Sequence, residues 1–143
     1  MVEVLPRSGL KSLISQILGQ RVFAVAGVSR DHAKYGYKVY RTLKTAGYTV
    51  YPINPNAEDI DGTPCYPMLE NIPETIDCLV TVTPPSITEE LVRIAGHLKI
   101  PYLWMQPGSE SQPAVIQALS HGIQVISSGP CIMVAVLTLS HPH

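Results

Sequence analysis

The sequence predicts a doubly wound α/β domain, with a mainly parallel five-stranded sheet, helices on both faces and an extra N-terminal helix. Three observations carry this. Short β-rich runs alternate with longer amphipathic ones, the pattern of a parallel sheet with crossover helices. The runs are apolar almost throughout, as strands covered on both faces must be. Several prolines, Pro52, Pro55, Pro84, Pro85, Pro107 and Pro130, follow the carboxyl ends of predicted strands, the edge where such sheets hold ligands.

Taken in order, Ser8 to Leu18 reads as the extra helix, with Leu10, Leu13, Ile14 and Ile17 on one face. RVFAVAG, Arg21 to Gly27, is the first strand. The helix from Tyr37 to Gly47 spaces Val39, Leu43 and Ala46 along one side, and Gly47 stops it. YTVYPINP, Tyr48 to Pro55, is the second strand. The proline-broken stretch after it reads as a loop with a helical turn near Pro67 to Asn71. DCLVTVTPP is the third strand, and SITEELVRIAGHLK the next helix, with Ser86 as cap and Glu89 completing a capping box. PYLWMQPGS is the fourth strand, SQPAVIQALSHG a helix stopped by Gly122, and IQVISSGPC the fifth strand. Residues 1–143 therefore read as one domain, with a helical extension over 1–20 and a core over 21–135. No repeat or low-complexity tract interrupts it.

Composition narrows the function. With 45% hydrophobic and 15% charged residues, the 143-residue chain can bury a full core. A net charge of −1 gives no broad basic surface for nucleic acid or an anionic membrane. No membrane span or signal peptide is evident, so a cytoplasmic location is expected. Cys65, Cys78 and Cys131 are odd in number and far apart, and His32, His97, His121, His141 and His143 are scattered. Neither a disulfide framework nor a metal site is expected.

The turn from Gly27 to Gly36 is the first candidate site. A strand there delivers the backbone to a helix start, where open N–H groups and the helix dipole attract anions. Gly27 permits a close approach, Ser29 offers a hydroxyl, and Arg30 and Lys34 offer cations, with Val28, Tyr35 and Gly36 completing the turn. Two readings fit, an anion seat or a plain connection with exposed basic side chains. The G-x-G-x-x-G pattern is absent, and the second strand ends in Asn54-Pro55-Asn56 with no carboxylate for a ribose. That counts against NAD, and the lack of a basic replacement counts against NADP.

These residues carry a family resemblance. Gly27-Val28-Ser29, Lys34-x-Gly36, Gly47-Tyr48, Val50 to Pro55, Gly62, Asp77, Trp104-x-Gln106-x-Gly108 and Gly129-Pro130-Cys131 occur in one order over about Val22 to Ile132. The chain thus resembles the small CoA-binding proteins, free-standing versions of the CoA-binding domain that opens the succinyl-CoA synthetase alpha subunit. The resemblance implies a Rossmann-like fold with coenzyme A across the carboxyl edge. Gly27, Ser29, Arg30 and Lys34 would then surround the phosphates, and Asn54 and Pro55 would line the adenosine side. Thr83 and Pro84 would meet the nucleotide, and Gln106 and Gly108 would face the pantetheine. Thr83-Pro84-Pro85 departs from the aromatic or basic residue frequent in that family, and Gly-Val-Ser from its usual Gly-Ala-Ser.

No catalytic constellation appears, so non-catalytic binding of CoA or acyl-CoA is expected, either alone or with a second copy of the chain or a partner enzyme subunit. The alternatives are an NAD(P)-type nucleotide-binding protein or an accessory subunit of a CoA-using enzyme. Cys131 has two readings: a small buried hydrophobe, or a thiol near a helix start that forms a mixed disulfide with CoA. Trp104 and Met105 read as core.

Overall fold

The computed structural model describes residues 7–138; the outermost parts of the expected domain, with His141 and His143, lie outside the described residues. The elements in order are α1 (Arg7–Leu18), β1 (Val22–Ala26), α2 (Tyr35–Thr45), β2 (Thr49–Ile53), β3 (Asp59–Ile60), β4 (Thr63–Pro64), a 3-10 turn (Leu69–Asn71), β5 (Cys78–Thr81), α3 (Pro85–His97), β6 (Tyr102–Met105), α4 (Gln112–Ser120), β7 (Gln124–Ile126) and α5 (Ile132–Thr138). The five-stranded sheet has the order β2-β1-β5-β6-β7, and every adjacent pair in it is parallel. This is the Rossmann-like α/β fold expected.

Alternation along β1 divides the core. Phe23 and Val25 face one side, where they pack with Leu13 and Ile17 of α1, Val39 and Leu43 of α2 and Ile132 and Val136 of α5. Ala24 and Ala26 face the other, against Leu91, Val92 and Ala95 of α3 and Ala114 and Ala118 of α4. The period of two in a strand thus supplies both faces of the double winding. Trp104 and Met105 are fully buried, as expected. The indole N–H of Trp104 donates to the Pro130 carbonyl at 3.0 Å, so its one polar atom is satisfied.

Four local expectations change. Helix α2 starts at Tyr35, two residues before the predicted start, with Lys34 as its cap. Pro52 does not follow β2 but lies inside it, opposite Val25. That is tolerated because β2 is an edge strand and the outward side at Pro52 needs no donor; its carbonyl accepts from Tyr66 N at 3.0 Å. Ser86 does not cap α3. Pro84 is the cap and Pro85 the first helical residue, a place where proline's fixed φ helps and its missing N–H costs nothing. Glu89 instead accepts from the Ser111 hydroxyl, and Ser111 caps α4.

The fourth change is the β3–β4 hairpin, in a stretch expected to be loop before the helical turn. Ile60 and Thr63 pair across a two-residue turn in which Asp61 has φ 51° and Gly62 φ 83°. Two positive φ values are what a tight hairpin of this hand requires, and Asp-Gly is a sequence well suited to it. The hairpin stands beside the turn that follows β1.

Candidate functional site

The chain runs from β1 to β2 on one side and later crosses over to β5 on the other side of β1, so the carboxyl ends of β1 and β5 flank the topological switch point. Gly27 ends β1 there with φ 95°, and a Cβ on it would lie 2.8 Å from the Val82 carbonyl oxygen. Opposite it, a Cβ on Gly36 would lie 2.0 Å from the Gly27 carbonyl oxygen. Two glycines in contact let the first turn of α2 settle on the end of β1. Thr83 closes the β5 side, its Cγ2 3.3 Å from where a Gly27 Cβ would stand.

Between these glycines the turn folds on its own side chains. Ser29 Oγ accepts from Asp31 N at 3.0 Å, and Asp31 Oδ1 accepts from Ala33 N at 2.9 Å. Among the described residues no side chain caps α2, so its first N–H groups stay directed at the carboxyl edge. Lys34, at that cap, is exposed and enters no ion pair among the described residues. Asn54 Nδ2 donates to the Val28 carbonyl at 2.8 Å, and its Oδ1 accepts from Asn56 N at 2.8 Å. Asn54 therefore ties the end of β2 to the turn and buries Val28 behind it.

A second cluster lies where α2, β6 and α5 meet. Gln106 is fully buried, and its Nε2 donates to the Tyr35 hydroxyl oxygen at 2.6 Å and to Cys131 Sγ at 3.2 Å. Its Oε1 accepts from Ile132 N at 2.8 Å. The Tyr35 hydroxyl donates to Cys131 Sγ at 3.1 Å. Burial works against the Cys131 thiolate, but the hydrogen bonds from Tyr35, Gln106 and the Met133 and Val134 N–H groups outweigh it and hold the thiol below its ordinary range. Tyr35 moves the opposite way, pushed up by burial and by its bond to the sulfur. Cys131 is therefore partly exposed and hydrogen-bonded, whereas Cys65 and Cys78 are buried and burial raises both.

The expected site residues thus gather in two groups, Gly27, Val28, Gly36, Asn54 and Thr83 at the switch point and Tyr35, Gln106 and Cys131 beside it. Pro55, Pro84 and Gly108 are exposed on the same edge. Thr83 spends its hydroxyl on Thr88 at 2.8 Å, and Gly108, with φ 96°, gives its N–H to Glu110 at 2.8 Å. Arg30 is engaged by the hairpin. Its guanidinium meets Asp59 of the hairpin through Nη2 to Oδ1 at 2.7 Å and Nε to the backbone carbonyl at 3.0 Å.

Asp59, the partner of Arg30, and Asp61, the partner of His32, were missed from the sequence. The signal was the Asp-x-Asp-Gly run at residues 59–62, a hairpin turn carrying two carboxylates. A cleft of about 1030 Å³ runs along α2 and α5 toward the amino ends of β1 and β2. None of the expected residues lines it, and in this architecture the ligand edge is the opposite one.

A family described as CoA binding domain matches residues 21–136. Over 77 residues the chain is 36% identical to acetate–CoA ligase [ADP-forming] I of Archaeoglobus fulgidus, a match covering 54% of this chain and 11% of that one. The chain thus spans about a tenth of that relative. A hypothetical protein from Pyrococcus horikoshii superposes with TM-score 0.89 at 29% identity, covering 99% of this chain and 100% of the other. Acetyl-coenzyme A synthetase 1 of Ca. Korarchaeum cryptofilum, in complex with phosphate and ADP, superposes with TM-score 0.71 at 27% identity, over 80% of this chain and 27% of that one.

Proposed function

The chain belongs to the CoA-binding domain family, and from that membership we propose that it binds coenzyme A or acyl-CoA at the carboxyl edge without catalysing a reaction of its own. The observation that carries this reading is the packed pair of glycines, Gly27 and Gly36, beneath an uncapped α2. A helix start with open N–H groups suits a pyrophosphate, and the exposed Lys34 ammonium suits a further phosphate oxygen. The absence of a carboxylate at the tip of β2 favours CoA over NAD. Pro55, Pro84 and Gly108 would line the rest of the ligand's path, with Cys131 toward its thiol end.

Thermal unfolding with CoA, acetyl-CoA, NAD(H) and NADP(H) tests the proposal. A ligand that binds only the folded chain stabilises it by about 2.7 kcal/mol at a hundredfold excess over Kd. A rise with CoA and none with the nicotinamide dinucleotides is expected. Stabilisation by NAD(H) alone would refute it.

A second reading gives the chain to a partner enzyme subunit that supplies the chemistry while this chain holds the CoA. The match to one segment of a much longer ligase supports it. Synthesis or hydrolysis of acyl-CoA by the purified chain alone would contradict both readings.

A further inference from the structure

We infer that Arg30 is a positioning residue, and that the β3–β4 hairpin is a clasp that holds the turn of residues 28–34 in its binding shape. The inference rests on the CoA reading for its consequence but not for its geometry. Arg30 and His32, two residues apart on the turn, meet Asp59 and Asp61, two residues apart on the hairpin. Asp59 takes Arg30 at two points, one carboxylate oxygen and its own backbone carbonyl. Its other carboxylate oxygen accepts from Gly62 N at 3.0 Å, which fixes the carboxylate within the hairpin.

Asp61 makes the second fastening. Its Oδ1 lies 2.9 Å from His32 Nε2, and its Oδ2 accepts from the Tyr37 hydroxyl at 2.5 Å. The His32 ring stacks on Tyr37 with centroids 4.1 Å apart and 16° between planes. The hairpin is itself anchored to α2, because Lys44 Nζ donates to Thr63 Oγ1 at 2.7 Å. Two points within the turn, Arg30 and His32, are thereby tied to one hairpin. Arg30 spends its charge on Asp59, which leaves Lys34, the exposed cap residue of α2, as the cation of the turn with no ion pair among the described residues.

Electrostatics and positioning predict opposite signs for one substitution, which makes the test decisive. Removing Asp59 takes a negative charge from beside an anion site and releases Arg30. If Arg30 contacts phosphate, Asp59→Ala tightens CoA binding or leaves it unchanged, while Arg30→Ala weakens it. If the clasp positions the turn, both single variants weaken binding by about 1.5-fold to fivefold, in the range of exposed ion pairs. The double variant is then no weaker than either single one, because the two act through one contact.

The experiment measures CoA affinity by calorimetry for Arg30→Ala, Asp59→Ala, Asp59→Asn and the double variant. Amide hydrogen exchange at residues 31–34 is followed in parallel without ligand. Equal weakening with faster exchange in the turn is the expected result. Tighter binding by Asp59→Ala, or unchanged exchange in all variants, overturns the inference. Should the wild-type chain bind no CoA, the functional proposal fails by itself, and the exchange rates still decide whether the clasp holds the turn.

Discussion

Replacing Gly36 with alanine sets two well-understood effects against each other. Alanine is the better helix former by about 0.8–1.0 kcal/mol, and Gly36 sits in the first turn of α2. On propensity alone the variant would be more stable. The added Cβ, however, would lie 2.0 Å from the Gly27 carbonyl oxygen, 2.9 Å from the Gly27 carbonyl carbon and 3.4 Å from Val28 Cα. Carbon atoms settle at about 3.5–4.0 Å, and all three neighbours are backbone, so no side chain can swing aside. The start of α2 must move away from β1 by more than an ångström. Overpacking of this kind costs about 1–3 kcal/mol and occasionally more, and the severity of this overlap puts it at or above the upper end. The net loss is therefore about 2 kcal/mol, a fall in Tm of about 6–10 °C for a chain of this size. Urea and thermal unfolding measure it, with Gly19→Ala as the control, because a Cβ there meets only the Gln16 and Ser15 carbonyl oxygens at 3.5 Å. CoA affinity should fall as well, since the moving helix start carries the proposed phosphate donors. A Gly36→Ala protein as stable as wild type would refute the claim that the two glycines are in forced contact.

Lys34→Ala should weaken CoA binding by about tenfold, the scale of a hydrogen bond to a charged group, and flatten the decline of affinity with salt; equal affinity in both proteins would remove Lys34 from the site. For Cys131, iodoacetamide labelling followed against pH should reach half its maximum below the usual thiol value of about 8.5, with Tyr35→Phe shifting the midpoint upward. A wild-type midpoint at or above that value would contradict the hydrogen-bonded thiol. The Asp61 carboxyl is held below its usual range, first by the Tyr37 hydroxyl and then by His32. Its stabilisation is therefore complete above about pH 4 and lost as pH falls through the folded-state value. Urea unfolding between about pH 6 and 3 should show a shallower acid decline in Asp61→Asn than in wild type, and identical declines would argue against the contact.

The strands of the sheet were legible because they are coded twice, by apolar composition and by the turns that end them. Phe23 and Val25 face one layer, Ala24 and Ala26 the other, and nearly unbroken apolar runs announce such strands. Gly27 and Gly36 were legible as flanks of a turn, but not as partners, because the 2.0 Å approach depends on how α2 lies against β1. Ser86 misled because the Pro-Pro pair before it starts the helix on backbone conformation, overriding a side-chain cap. The hairpin was hidden by its size. Two-residue strands have no alternation to detect, and Pro64 argues against a strand unless the edge is open. The contact of Arg30 with Asp59 was hidden because sequence reports charge and not direction, and the carboxylate partner lies 29 residues away.

The saturation of Gln106 has a consequence for how the protein is made. Its amide bonds Tyr35, 71 residues away, and accepts from Ile132, 26 residues away. None of these segments can be satisfied before the others arrive, and such non-local contacts form slowly. At about 5–20 residues per second of synthesis, the turn after Gly27 waits for its last partner until the chain has grown past α5. Until then the Gln106 amide bonds to water and the carboxyl edge is not yet assembled. A ligand that needs this edge intact will recognise the finished molecule and ignore its precursors, which makes its binding a check that the whole domain has closed.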